Sequence, residues 1–171
     1  LHTHHMQNIP EADKDTLRGY ATEAIQAVAN MAVERKINLT VENVGVRTKS
    51  GVLFDQDQYL ALFEQLPAEV GSLIDIGHAF INHWDVPHVL RTLGTRIHSF
   101  HLHNNNGSAD SHRPMFEPGN YYTAEEMCEL LLLTNRTAPN AEWILEYAPG
   151  EHISKELIMG DLRTLAALNC K

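Results

Sequence analysis

The stretch Ile97–Asn120, IHSFHLHNNNGSADSHRPMFEPGN, decides how the rest of the chain is read. Its first half alternates as a strand, with Ile97, Ser99, His101 and His103 on one face and His98, Phe100 and Leu102 on the other. It then breaks into Asn-Asn-Asn-Gly and a loop holding Asp110, His112, Pro114, Pro118 and Gly119, residue types that stop regular structure. Two histidines on one strand face, followed by Asp-Ser-His, put several metal-type ligands at one strand end.

Working outward, Asp13–Arg35 reads as a helix, with Leu17, Tyr20, Ala24, Val28 and Met31 at steps of three and four. Asp13 or Asp15 is available as its cap. Ile37–Val44 alternates as a strand and leaves Glu42 at its C-terminal end on the polar face. Asp55–Leu66 is the next helix, and Gly71–Ile76 a short apolar strand running into Asp75-Ile76-Gly77-His78. Val86–Leu93 is a short helix. Thr123–Leu133 is another, with Thr123 and Glu126 spaced as a capping box. Trp143–Tyr147 is a strand in which Glu142, Ile144 and Glu146 share a face, and Ser154–Leu168 closes with Ile158, Leu162 and Leu165 inward. Leu1–Gln7, LHTHHMQ, reads as the end of a strand entering a loop; its irregularity separates it from a histidine tag.

The order is therefore a strand end, helix–strand four times, and a final helix. Strict alternation implies a parallel sheet covered by helices, whose ligands sit beyond the C-terminal strand ends. Glu42, Asp75, His101 and Glu146 occupy those ends on four successive strands, which makes a metal site the leading expectation. Three carboxylates and one imidazole form a mostly oxygen donor set suited to Mn²⁺, Mg²⁺ or Co²⁺, with Zn²⁺ also admissible.

Composition bounds the rest. At 171 residues, 43% hydrophobic and 20% charged, residues 1–171 have the make-up of one soluble globular domain. The chain opens at Leu1 rather than methionine, which suggests a fragment or a processed chain. The net charge of −9, without a Lys/Arg cluster, argues against a nucleic-acid surface. No apolar run approaches the roughly 20 residues of a membrane span. The two cysteines, Cys128 and Cys170, form no metal or redox motif and suit a reduced cytoplasmic setting.

The runs VEN (41–43), DIGH (75–78), HLHNNNGSADSH (101–112) and ILEY (144–147) together resemble the xylose-isomerase-like TIM barrels. That superfamily holds sugar and sugar-phosphate isomerases and epimerases and the endonuclease IV class of abasic-site nucleases. The resemblance implies an α/β (β/α)8 barrel lacking its first three strands and most of the fourth, since a complete barrel is typically about 250 residues. It implies that Glu42, Asp75, His101 and Glu146 hold the isomerase-type metal, and that His78 binds substrate or a second metal. Asp110 and His112 match the Asp-x-His pair that holds a further zinc in the endonuclease branch, and His2 matches the histidine ending the fourth strand. The glycine-rich turn of the family is altered here to Pro114–Gly119.

The function expected on this basis is metal-dependent isomerisation or epimerisation of a sugar or sugar phosphate by enediolate proton transfer, an activity of carbohydrate metabolism. Glu42 and Glu146 are the acid/base pair, while His78, His103, Arg113, Trp84 and Phe116 contact the substrate. Arg47 is a further cation near the strand ends. The competing expectations are an endonuclease IV-like zinc phosphodiesterase acting on abasic DNA, and a non-catalytic metal- or sugar-binding barrel fragment. Open parallel edges also raise the expectation of a homo-oligomer.

Overall fold

A computed structural model describes residues 1–3, 10–45, 52–150 and 153–168. Four strands, β1 (Thr40–Glu42), β2 (Gly71–Asp75), β3 (Ile97–Leu102) and β4 (Glu142–Leu145), form one parallel sheet in the order β1-β2-β3-β4. Leu1–Thr3 lies alongside β1: the Glu42 amide donates to the Leu1 carbonyl at 2.8 Å, and the Thr3 amide to the Glu42 carbonyl at 3.2 Å. The expected strand end is thus present, although His4, His5 and Arg47 lie outside the described residues.

The helices are α1 (Lys14–Glu34), α2 (Gln56–Gln65), α3 (Ile76–Ile81), α4 (Val86–Leu93), α5 (Ala124–Thr137) and α6 (Lys155–Leu168). Local chemistry explains where most of them begin. Thr123 and Glu126 form the expected capping box, with the Glu126 amide 3.2 Å from Thr123 Oγ1 and the Thr123 amide 2.8 Å from Glu126 Oε2. Asp55 and Gln58 form a second one at the start of α2. Helix α3 was not expected from periodicity. At six residues it is too short for a 3.6-residue pattern to declare itself, and it exists because Asp75 caps the His78 amide at 2.8 Å.

Helix α1 turns a different face inward from the one its large side chains suggest. Tyr20, Val28 and Met31 are exposed, whereas Ile25, Ala29 and Ala32 are buried, with Leu17 and Ala21 partly covered in the same row. Arg18 Nε donates to the Leu53 carbonyl at 2.5 Å, which ties this helix to the segment ahead of α2. The closing helix departs likewise: Leu165 is buried, but Leu162 and Ile144 of the neighbouring strand are exposed at the outer edge of β4.

The core lies between sheet and helices, around Tyr59, Phe63, Leu90, Phe100, Leu102 and Leu131. Tyr59 is the fully buried tyrosine among the described core residues, held by the Val41 carbonyl at 2.8 Å and Ser72 Oγ at 2.8 Å. Tyr59→Phe strands those two buried partners, so it should cost about 1–2 kcal/mol in urea unfolding. A loss under ~0.3 kcal/mol, below the range of a net hydrogen bond, would show that the hydroxyl adds nothing to the joint between α2 and the sheet. Trp84 sits beside Tyr59 with ring centroids 5.2 Å apart and belongs to this core. Its expected place on a substrate wall is corrected accordingly: its large apolar surface is spent on packing.

Candidate metal and proton-transfer site

The C-terminal ends of the strands are joined by Asn43. Its side-chain nitrogen donates to the Asp75 carbonyl at 3.0 Å, and its oxygen accepts from the Asp75 amide at 2.7 Å. This two-way bond locks the end of β1 to the end of β2 and is wholly buried. Asp75 then does two things at once. One oxygen caps α3, and the carboxylate as a whole faces the imidazoles of His78, His101 and His103.

Among the described residues two clusters of metal-type donors result, each with its ligand atoms within 4.8 Å of one another. The first is Glu42, Asp75, His101 and Glu146. His101 Nδ1 is 3.0 Å from Glu42 Oε1, 2.8 Å from Glu146 Oε2 and 3.7 Å from Asp75 Oδ2. Burial disfavours a charged His101, but the Asp75 and Glu42 carboxylates outweigh it and push the imidazole up to about 10. Burial likewise opposes ionisation of Asp75, yet its bonds to His101 and His103 hold it far below the usual carboxylate range. The site therefore strongly favours positive charge among its carboxylates.

The second cluster is His78, His103, Asp110 and His112. His78 Nε2 lies 3.2 Å from Asp110 Oδ2, and His112 Nε2 3.3 Å from Asp110 Oδ1. Burial lowers the affinity of His78 for a proton, but Asp110 and Asp75 more than offset this and raise it to about 9. His112 is raised chiefly by its contact with Asp110.

The expected residues are only partly brought together. Glu42, Asp75, His101 and Glu146 meet as anticipated, as do His78, Asp110 and His112. His2 does not join the latter group. Its Nε2 contacts Glu42 Oε2 at 3.0 Å, because the Leu1–Thr3 segment pairs directly with β1. His103, expected against substrate, is fully buried, with Nε2 2.9 Å from Asp75 Oδ1. Arg113, also expected there, is committed to its own loop, donating to Glu117 Oε2 at 3.2 Å and to the Gly119 and Pro118 carbonyls. Phe116 is half-buried in that loop and packs against the core.

Three asparagines were missed as site builders. Besides Asn43, Asn104 Nδ2 donates to the Met115 and Tyr122 carbonyls at 3.0 and 2.9 Å. Asn105 Nδ2 donates to the Gly77 carbonyl at 3.0 Å. The Asn104–Asn106 run signals a turn in the sequence, but only the fold shows which carbonyls it reaches.

A parallel α/β sheet with two clusters of candidate metal ligands, among the described residues, beyond its C-terminal strand ends is the arrangement of a barrel or partial barrel. The family model for the xylose isomerase-like TIM barrel matches residues 1–159, and the chain belongs to that family. No curated protein matches it. Among solved structures it is similar to a D-tagatose 3-epimerase-like protein, with TM-score 0.70 and 19% identity over 98% of this chain and 62% of that one. It is also similar to a D-psicose 3-epimerase studied with D-fructose (TM-score 0.57, 21% identity, 94% of this chain and 57% of that one). A Thermus thermophilus protein soaked with zinc chloride is a further neighbour, with TM-score 0.65 and 17% identity over 98% of this chain and 59% of that one. The chain thus spans about three fifths of the length of these structures. Among the described residues no helix is long and apolar enough to cross a membrane.

Proposed function

We propose that this chain carries the proton-transfer half of a divalent-metal-dependent ketose epimerase or isomerase. The observation that carries the reading is the convergence of Glu42 and Glu146, from opposite ends of the sheet, on the single nitrogen His101 Nδ1. The similar solved structures, a D-tagatose 3-epimerase-like protein and a D-psicose 3-epimerase, support a small sugar as substrate.

The donor set fits a divalent ion. Glu42, Asp75, His101 and Glu146 would hold it, and Glu146 Oε2 is a buried oxygen that lacks a hydrogen-bonding donor among the described residues, although His101 lies at ion-pair distance. When bound, the ion supplies positive charge where an enediolate develops its negative charge. The proton itself moves on this chain's carboxylates. Glu42, with a buried side chain held between His2 and His101, is the more confined base. Glu146, with 43% of its side chain exposed, reaches a substrate arriving from solvent. One carboxylate removes the proton beside the carbonyl and the other returns it, to the opposite face for epimerisation or to the neighbouring carbon for isomerisation.

The test is exchange of the carbon-bound hydrogen of D-psicose or D-tagatose in deuterated water, followed by NMR. Exchange is expected with Mn²⁺, Co²⁺ or Mg²⁺, is expected to vanish after chelation and dialysis, and should return on adding the ion back. Full exchange by the metal-free protein would overturn the metal-dependent reading.

A phosphodiesterase reading draws on the meeting of His78, Asp110 and His112. The net charge of −9 weighs against a nucleic-acid substrate. Cleavage of an abasic-site duplex with zinc, without ketose exchange, would reverse the order of the two.

A further inference from the structure

We infer that Tyr147, held between the Met115 amide and the Asp161 carboxylate, is a positioning residue that aims the Glu146 carboxylate into the site. The inference rests on the proton-transfer reading of Glu146 and adds what keeps that side chain in place.

The need for such a device follows from the place of β4. It is the last strand of the sheet and pairs with β3 alone among the described residues. The ladder ends where the Glu146 amide meets the Leu102 carbonyl at 3.2 Å. Glu146 nevertheless brings Oε2 to 2.8 Å from His101 Nδ1, although its side chain is 43% exposed. A long, half-open glutamate at the free end of an edge strand has many rotamers, so its backbone must be fixed for the carboxylate to keep one direction.

Strand alternation sends neighbouring side chains to opposite faces. With Glu146 turned towards His101, Tyr147 turns the other way and packs against the core. There its hydroxyl donates to Asp161 Oδ2 of α6 at 2.6 Å and accepts from the Met115 amide at 3.2 Å. An amide N–H can only donate and an ionised carboxylate only accept, so the group between them must do both. A hydroxyl does so, and a phenyl ring does neither.

Met115 is a fixed point. It is fully buried, and its carbonyl accepts from Asn104 Nδ2 at 3.0 Å and from Asn120 Nδ2 at 3.2 Å. Asn104 follows β3, the strand that carries His101. A chain of bonds thus runs from the end of β3 through Asn104, Met115 and Tyr147 to α6. It refers the end of β4 to the same strand that bears the nitrogen Glu146 meets. Two neighbouring bonds complete the clasp: His112 Nδ1 donates to the Glu146 carbonyl at 3.0 Å, and the Ala148 amide to the His112 carbonyl at 2.9 Å. Neither involves the Tyr147 hydroxyl, so Tyr147→Phe should leave the strand end attached and loosen its orientation.

The test is steady-state hydrogen exchange of D-psicose in deuterated water, with ion content and far-UV circular dichroism measured on every variant. Tyr147→Phe should lower kcat by about tenfold with the ion retained and KM nearly unchanged, since displacing a reacting group by about 1 Å can cost up to about 10²-fold. Asp161→Ala should lower kcat in the same way. Asp161→Asn, whose amide oxygen still accepts from the hydroxyl, should recover to within about twofold of wild type. The double variant Tyr147→Phe/Asp161→Ala should be no slower than Tyr147→Phe, because the two residues act as one unit. Wild-type kcat in Tyr147→Phe, a change confined to KM, loss of the ion, additive losses in the double variant, or an Asp161→Asn as slow as Asp161→Ala would each overturn the inference and leave the proton-transfer reading standing. Absence of exchange by the wild-type chain with its ion bound would remove that reading and this inference with it. Should Tyr147→Phe fail to fold, Asp161→Ala against Asp161→Asn decides by the same split between kcat and KM.

Discussion

Glu146→Gln should lower ketose hydrogen exchange by about 10²–10⁴-fold while leaving the fold intact, the range a positioned acid/base group contributes. The substitution keeps the side chain's size and an oxygen near His101 Nδ1, which Glu146 Oε2 now approaches at 2.8 Å, but an amide neither takes nor returns the proton. Structural damage should be slight because the Glu146 side chain is 43% exposed and the strand's pairing runs through the backbone, including the Glu146 amide on the Leu102 carbonyl at 3.2 Å. Metal content must be measured beside exchange, since Glu146 is also a candidate ligand. Lost exchange with the ion retained assigns proton transfer to this carboxylate. Lost exchange together with lost metal assigns it to holding the ion, and wild-type exchange removes it from the mechanism altogether.

The largest expected effect on stability lies away from the site. Arg96→Ala should destabilise the chain by about 3 kcal/mol, because unpaired, partly buried carbonyls cost roughly 1–3 kcal/mol each. The guanidinium reaches four of them: Nη1 to Phe63 at 2.5 Å, Nη2 to Leu66 and Pro67 at 2.8 and 2.7 Å, and Nε to Val70 at 3.2 Å. These carbonyls end α2 and lead into β2, where a cation also complements the helix dipole. The same group stacks over the Phe63 ring, 5.2 Å from its centroid. For a domain of this size such a loss lowers Tm by about 6–12 °C. Arg96→Lys should recover little, since a single ammonium cannot span the fork. A shift below ~2 °C for Arg96→Ala would mean that water replaces the guanidinium without cost.

The sequence announced neither the function of Arg96 nor the inward face of α1. In both cases the deciding partners are distant: Arg96 answers carbonyls about 30 residues away, and Arg18 of α1 answers the Leu53 carbonyl 35 residues away. Ala29 and Ala32 are buried while the larger Val28 and Met31 are exposed, so side-chain size alone does not tell which face of a helix turns inward. Trp84 and Arg113 teach the same lesson for the site. Both have the chemistry of sugar or phosphate contacts, and both are used up by local packing and loop bonds.

The alternation of strands and helices, the parallel sheet and the first ligand cluster were determined by the sequence itself. Strand periodicity assigns each residue a face, and parallel connectivity brings all C-terminal strand ends to one side, so Glu42, Asp75, His101 and Glu146 had nowhere else to meet. The tertiary structure alone decided how the histidines divide. His2, His103 and His112 lie at strand termini or in loops, and His78 in the six-residue helix α3, so no period long enough to read constrains their direction. His2 went to Glu42 through the pairing of Leu1–Thr3 with β1, and His103 was turned inward between Gly77 and His112, against Asp75. The walls around His103 are tied by asparagine bonds to backbone carbonyls, which composition can hint at but only a folded chain supplies.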